Sequence, residues 1–310
     1  MNKPKALKKG DTIGLIAPAG ALKDPAAAEK AAGFVRNLGF GVKLGKSARG
    51  SRGYLAGTDA ARARDVNDMF ADSSVSGIFC LRGGSGAPRI APLLDMDAVR
   101  RRPKVFVGYS DITALLIQFV QQANLTVFHG PMPAADMIVD GFDSRSLESL
   151  LSAVMDTSPR RELVNPGGKP VCLYPGKTTA PITGGNLTVI SLLMGTPYEI
   201  DTRGKILLIE DIGEEPYRTD GRLCQLRSAG KLDECAGFII GNFKDCQPSD
   251  PSRSLSMGQI IEDLILPARK PVLAGLNIGH CEPKLTIPFG VPATLDATNG
   301  RIYFEESFVI

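Results

Sequence analysis

The apolar positions of this chain come in short runs separated by amphipathic stretches. "TIGLIAPA" from Thr12, "VSGIFCL" from Val75, "VFVGYS" from Val105 and "LTVFHGPM" from Leu125 are rich in β-branched and aromatic residues, as strands buried on both faces are. Between them, "PAAAEKAAGFVRNLG" (stopped by Gly39), "ARARDVNDMFAD" and "DITALLIQFVQQA" carry apolar residues at helical spacing. This alternation predicts a parallel sheet covered by helices, with working groups gathered at the carboxyl ends of its strands. Between residues 165 and 185 the texture changes to the Gly- and Pro-dense "NPGGKPVCLYPGKTTAPITGG", which predicts a crossover. Beyond it come a helix in "GGNLTVISLLMG", strands in "KILLIED", "CAGFIIGNF" and "PVLAGLNIG", and a helix in "SMGQIIEDLIL". Short antiparallel strands are expected in "KLTIPFG" and "RIYFEESFVI". The predicted fold is α/β. Residues 1–160 form a flavodoxin- or Rossmann-like parallel-sheet domain, 161–182 a linker, and 183–310 a smaller mixed α/β domain with several short strands.

Composition narrows the function classes. A length of 310 residues suits two domains. A net charge of +3, spread without a basic stripe or an acidic tail, gives no expectation of a nucleic-acid partner. The Arg100–Arg101–Arg102 run reads as a solvated helix end. No run approaches the roughly 18 apolar residues of a membrane helix. The basic start resembles a signal peptide, but Asp11 and Thr12 interrupt it and Gly and Pro break its apolar run. Six cysteines without a CxxC pair read as free thiols in a reducing compartment, so a cytoplasmic protein is expected.

Only two histidines, His129 and His280, are available for acid–base chemistry. Neither has the HxxE or HExxH neighbourhood of a zinc peptidase, so no metal or other cofactor is expected. Ser110, where "VFVGY" turns into a helix, is either a helix cap or a nucleophile. The Asp111 N–H at the helix start would serve an oxyanion, and Asp111 itself suits the dipole. The stretch lacks the second glycine of G-x-S-x-G, since Ile112 stands there. "LRGGSGAPR" (81–89) allows close backbone approach to a ligand or a second oxyanion donor, and equally a simple tight turn. Cys80 is a rival nucleophile or a buried inert thiol. Glu210 and Asp211 end an apolar strand, where a carboxylate can orient a histidine, or they belong to a solvated turn. His280 and His129 have much the same setting, and the residues alone do not choose between them.

Taken in order, "IGLIAPAG", "GIFCLRGGSG", "VGYSDITALL", "HGPM", "PITGGNLTVI", "LLIEDIGEEPYRTD" and "GLNIGHCEPKLTIPFG" resemble the L,D-carboxypeptidase family of serine peptidases. That family includes murein tetrapeptide carboxypeptidases and microcin C immunity proteins. The resemblance implies a Ser110–Glu210–His280 triad, with the serine on the first domain and Glu and His on the second, and a site between them in a homodimer. It implies an oxyanion hole from backbone N–H groups, assigned to Asp111 and Gly84. Arg82, Gly83, Ser85, Asn186 and Arg218 are the candidate substrate contacts, with Arg82 or Arg218 for a free carboxylate. The implied activity releases D-alanine from a peptidoglycan-derived tetrapeptide. Cleavage of a peptidyl or aminoacyl nucleotide is the alternative within hydrolases, and non-catalytic binding of a wall peptide or nucleotide the one outside them. Ser85, where the family usually has an aromatic residue, and Gly221, where an arginine is common, depart from the pattern.

Overall fold

The computed structural model describes all 310 residues. In chain order the strands are β1 (Thr12–Ile16), β2 (Gly41–Leu44), β3 (Val75–Cys80), β4 (Val105–Gly108), β5 (Val127–His129), β6 (Arg161–Glu162), β7 (Val171–Tyr174), β8 (Lys177–Asn186), β9 (Ile206–Ile212), β10 (Gly237–Lys244), β11 (Val272–Ala274), β12 (Ile287–Phe289), β13 (Pro292–Asp296) and β14 (Arg301–Phe304). They form a six-stranded sheet in the order β12-β5-β4-β3-β1-β2 and an eight-stranded sheet in the order β6-β14-β13-β8-β9-β10-β11-β7.

In the first sheet β1 to β5 run parallel, and β12 pairs antiparallel with β5. Helices α1 (Ala27–Asn37), α2 (Asp59–Ala71), α3 (Ala87–Ile90), α4 (Met96–Arg101), α5 (Thr113–Ala123) and α6 (Ser144–Met155) complete this unit. The Thr58 hydroxyl caps α2 by accepting from the Ala61 N–H at 3.2 Å. Nearly every residue of α5 is buried, and Phe119 on it meets Phe106 of β4 and Phe70 of α2 with ring centroids 4.8 and 5.3 Å apart. Such edge-to-face aromatic packing anchors the strand-to-helix corner that carries Ser110.

The second sheet is mixed. β8, β9, β10 and β11 run parallel, while β13, β14, β6 and β7 are paired antiparallel at its two sides. Helices α7 (Leu187–Leu193), α8 (Pro216–Ser228) and α9 (Met257–Leu264) belong with it, the last opened by a capping box between Ser256 and Gln259.

Several expectations are corrected here. Residues 161–182 are not a linker: they supply β6, β7 and the first part of β8. Pro170 and Pro175 stand just outside the edge strand β7, and Pro181 lies within β8, opposite Pro292 of β13. Gly184 and Gly185 belong to β8 rather than to the following helix. A Cβ on Gly184 would stand 1.9 Å from the Leu208 carbonyl oxygen, so the strand crosses its neighbour too closely for a side chain. The chain forms two compact units that are not contiguous in sequence. Met1–Thr157 is joined by Thr286–Gly290 and Ser307–Ile310, and Ser158–Leu285 by Val291–Glu306. "KLTIPFG" therefore gives a strand of the first sheet, because its buried Ile287 and Phe289 complete the edge beside β5. No helix is long and apolar enough to cross a membrane.

Candidate active site

Ser110 lies just past the carboxyl end of β4, as the first residue of a 3-10 turn (Ser110–Ile112) that leads into α5. It is not a cap: the cap position is Tyr109, and no side-chain cap bond is made there. Its backbone is instead left-handed, φ 63°, a conformation that costs a non-glycine residue about 1–2 kcal/mol. A strained strand-to-helix elbow of this kind thrusts a nucleophile out of the backbone. Gly108 permits it, since a Cβ there would meet Ile112 Cγ2 at 2.7 Å. Ile112 thus folds back over Gly108, and the elbow forms without a second glycine.

The loop after β3 comes up against this elbow at Gly83. A Cβ on Gly83 would be 2.9 Å from Ser110 Cβ, 3.0 Å from its Oγ and 3.2 Å from the Asp111 nitrogen. A side chain here would collide with the elbow, so only a glycine lets this loop pass so close to the Ser110 hydroxyl and the Asp111 N–H. The Gly83 carbonyl accepts from the Gly20 N–H at 3.0 Å. In a trans peptide the Gly84 N–H must then point away from Gly20. Asp111 is more than a residue of the first helical turn. Its carboxylate is buried and accepts the Ala87 N–H at 2.7 Å, tying the elbow to α3. Burial pushes this carboxyl above the usual range, opposed in part by the Ala87 N–H and by Arg62.

Arg82 and Gly84 line a cleft of about 590 Å³ in the same unit, together with Ser85, Ser51, Lys23 and Tyr54. The Arg82 Nη1 donates to the Ala21 carbonyl at 2.7 Å, which holds the guanidinium at this wall. Ser85 offers only a hydroxyl, and the aromatic surface of the cleft comes from Tyr54, 69% exposed, a residue the sequence reading passed over.

In the other unit Glu210 lies within β9, flanked by β8 and β10, and is 0% exposed. The expectation of a solvated turn fails on that burial. Its Oε2 is 2.6 Å from His280 Nδ1. An ionised carboxylate can only accept, so Nδ1 donates and, in the neutral imidazole, Nε2 is left as the basic nitrogen. His280 follows Gly279, whose φ is 92° and whose missing Cβ would stand 2.3 Å from Glu210 Oε2. Opposite Glu210, β10 changes register between Ile240 and Phe243, and the Asn242 N–H in that bulge donates to the Ile278 carbonyl at 2.9 Å. The bulge thereby anchors the loop that presents His280.

Asp211, next along β9, does different work. It accepts from Asn186 Nδ2 at 2.9 Å, from the Thr188 N–H at 2.9 Å and from the Thr188 hydroxyl at 2.7 Å. Burial raises its carboxyl while these donors pull it down. Asn186 is accordingly not placed as a substrate contact: its other amide atom caps α7 by accepting from the Val189 N–H at 3.1 Å. Arg218 lies exposed on α8, its Nε donating to the Tyr217 hydroxyl at 3.0 Å. Gly221, in the same helix, faces open space, and Arg222 beside it pairs with Glu214 at 3.1 Å.

The rivals fall away on position. His129 is 1% exposed, its ring 5.7 Å from those of both Tyr109 and Phe289, packed in the first unit's core. Cys80 is fully buried and its thiol is pushed well above the ordinary range by that burial, so it supplies no thiolate. No group of three His, Cys, Asp or Glu side chains clusters as metal ligands would.

Residues 13–130 match the LD-carboxypeptidase N-terminal domain and residues 179–295 the LD-carboxypeptidase C-terminal domain. The chain belongs to the LD-carboxypeptidase family. It is a serine-type carboxypeptidase, which removes the purely binding alternative. It is 43% identical to a probable murein peptide carboxypeptidase of Bacillus subtilis, covering 98% of this chain and 94% of the relative. It is 26% identical to the microcin C7 self-immunity protein MccF of Escherichia coli, covering 98% of this chain and 95% of the relative. Among solved structures, a muramoyltetrapeptide carboxypeptidase from Oxalobacter formigenes superposes with a TM-score of 0.83 at 28% identity, covering 96% of this chain and 98% of the other.

Proposed function

We propose that this LD-carboxypeptidase uses Ser110, His280 and Glu210 as one triad to release the terminal D-alanine from L-Ala-D-Glu-meso-diaminopimelyl-D-Ala. The observation that carries the reading is the 2.6 Å bond between His280 Nδ1 and the buried Glu210 carboxylate, which leaves Nε2 to act as base. Nε2 takes the proton from Ser110 Oγ as Oγ bonds to the carbonyl carbon preceding D-alanine. The oxyanion rests on the backbone N–H groups of Asp111 and Gly84. His280 returns the proton to the leaving nitrogen, the C–N bond breaks and D-alanine departs. Water, deprotonated by His280, then attacks the acyl-Ser110 ester and frees the tripeptide.

Arg82, rather than Arg218, is the anchor for the free carboxylate, because it lines the cleft beside Gly84 and Ser85 while Arg218 is engaged on its own helix. The reading extends to a cytoplasmic homodimer in peptidoglycan recycling, supported by the free cysteines and the resemblance to the family. The relative named as a self-immunity protein supports a second reading, cleavage of a peptidyl nucleotide by the same triad.

The deciding experiment measures free D-alanine released from the tetrapeptide, and from a peptidyl nucleotide run in parallel the amine-side product. Wild type is expected to turn over the tetrapeptide faster, Ser110→Ala to lose turnover, and a chelator to change nothing. Equal release by Ser110→Ala, or loss on chelation, overturns the triad; preference for the nucleotide exchanges the two readings.

A further inference from the structure

Arg62 is a charged side chain with no role so far, and it is 0% exposed. It lies on α2, outside the loops that make the elbow, yet its hydrogen bonds reach two of them. Nη1 donates to the Pro18 carbonyl at 2.5 Å, in the loop after β1, and to the Gly86 carbonyl at 2.8 Å, in the loop after β3. Nη2 is paired with Asp59, which in turn takes Arg89 of α3 in a two-pronged ion pair at 2.8 to 3.1 Å. A buried guanidinium is expensive to desolvate and is retained where a rigid fork of donors must join separate segments.

These contacts close a circuit. From Ser110 the chain passes to Asp111, whose carboxylate takes the Ala87 N–H. The adjoining Gly86 carbonyl leads to Arg62 and so to Pro18. Two residues further on, the Gly20 N–H holds the Gly83 carbonyl, and Gly83 abuts Ser110. Gly86 itself has φ 112°, and a Cβ there would stand 2.4 Å from Leu55 Cδ2 and 3.1 Å from Arg62 Nη1, so this carbonyl reaches the guanidinium only from a glycine.

We infer that Arg62 is a positioning residue for the oxyanion hole: by clamping the loops after β1 and β3 it fixes the peptide between Gly83 and Gly84 with its carbonyl on Gly20 and its N–H turned toward the reacting oxygen. The inference rests on the reading of Ser110 as nucleophile. Removing the clamp lets that peptide rotate, which loses a donor to the transition state while leaving the ground-state contacts of the substrate in place.

The test compares wild type with Arg62→Met, Arg62→Lys and Asp59→Asn. It reads kcat and KM for D-alanine release, and affinity for a peptide boronic acid (tetrahedral once bonded to Ser110) and for the product tripeptide. For Arg62→Met the expected result is a fall in kcat of about 100-fold, the scale of one lost oxyanion donor, with KM changed less than about 3-fold. Boronate affinity should fall in parallel and tripeptide affinity hold. Arg62→Lys and Asp59→Asn should show the same split at a smaller scale, and they decide the matter if Arg62→Met does not fold. Unchanged kcat and boronate affinity in the folded variants, or equal loss of boronate and tripeptide binding, overturns the inference. Failure of the boronate to bind wild type would instead count against Ser110 as nucleophile.

Discussion

Two corners of this protein hold the proposed triad, and they are built by opposite means. At the Ser110 corner the backbone does the work: a left-handed serine, a glycine that lets the neighbouring loop pass close beside it and main-chain hydrogen bonds around it. At the Glu210–His280 corner side chains do it, through a fully buried carboxylate on a central strand and one short bond to an imidazole. Both depend on a missing Cβ, at Gly83 in one and Gly279 in the other. The comparison teaches that a nucleophile and its oxyanion hole are positioned by where the main chain runs. A general base is positioned by what its ring is bonded to.

The contrast can be broken most severely at its reacting atoms. Ser110→Ala should lower kcat by roughly 10⁴-fold or more, and Glu210→Gln by about 10⁴-fold through the wrong imidazole tautomer, both read as D-alanine release. Gly279→Ala should approach the Glu210→Gln loss, because its Cβ would displace the carboxylate that His280 needs; a pH–rate profile should lose the limb set by the base. Gly83→Ala should cost about 10²- to 10³-fold in kcat, since its methyl would collide with Ser110 and shift the proposed oxyanion donors, while His280 stays paired with Glu210. The smallest effect is expected from Asp111→Asn. Burial raises the folded-state pKa of Asp111, so it is the ionised form that folding penalises. Wild type is therefore relieved as pH falls through that raised value, until the unfolded chain protonates as well. The variant carries no such charge. Its melting temperature relative to wild type should be highest near neutral pH and drop toward acid, and an opposite slope would remove burial as the cause.

Much of this was legible in sequence, for identifiable reasons. The parallel sheet and the Ser110 corner showed because strands buried on both faces leave unbroken apolar runs, as in "KVFVG". Glu210 was visible because an acid inside "ILLIED" interrupts such a run. What stayed hidden depends on contacts distant in sequence. β7 looked like linker because edge strands tolerate the same Gly and Pro that linkers use. Asn186 looked available because a cap and a ligand-binding amide present the same residue. Arg62 in "ARARD" is indistinguishable from its solvated neighbour Arg64 until the loops after β1 and β3 close over it. Period alone had put no strand at β2, where a short run with an exposed Lys43 gives too little signal.

The crossing of the chain back into its first unit at residues 286–290, and again at 307–310, bears on how such an enzyme can be inherited and engineered. A gene fragment ending at Thr157 would encode Ser110 but strip β5 of its outer partner, baring a hydrogen-bonding edge beside apolar Val127 and Phe128. The halves are interleaved like stitches in one thread, so recombination at their boundary would yield two sticky fragments rather than two exchangeable cassettes. New specificities in this lineage should therefore arise by substitution in its loops, with the two halves passing between generations as a single block.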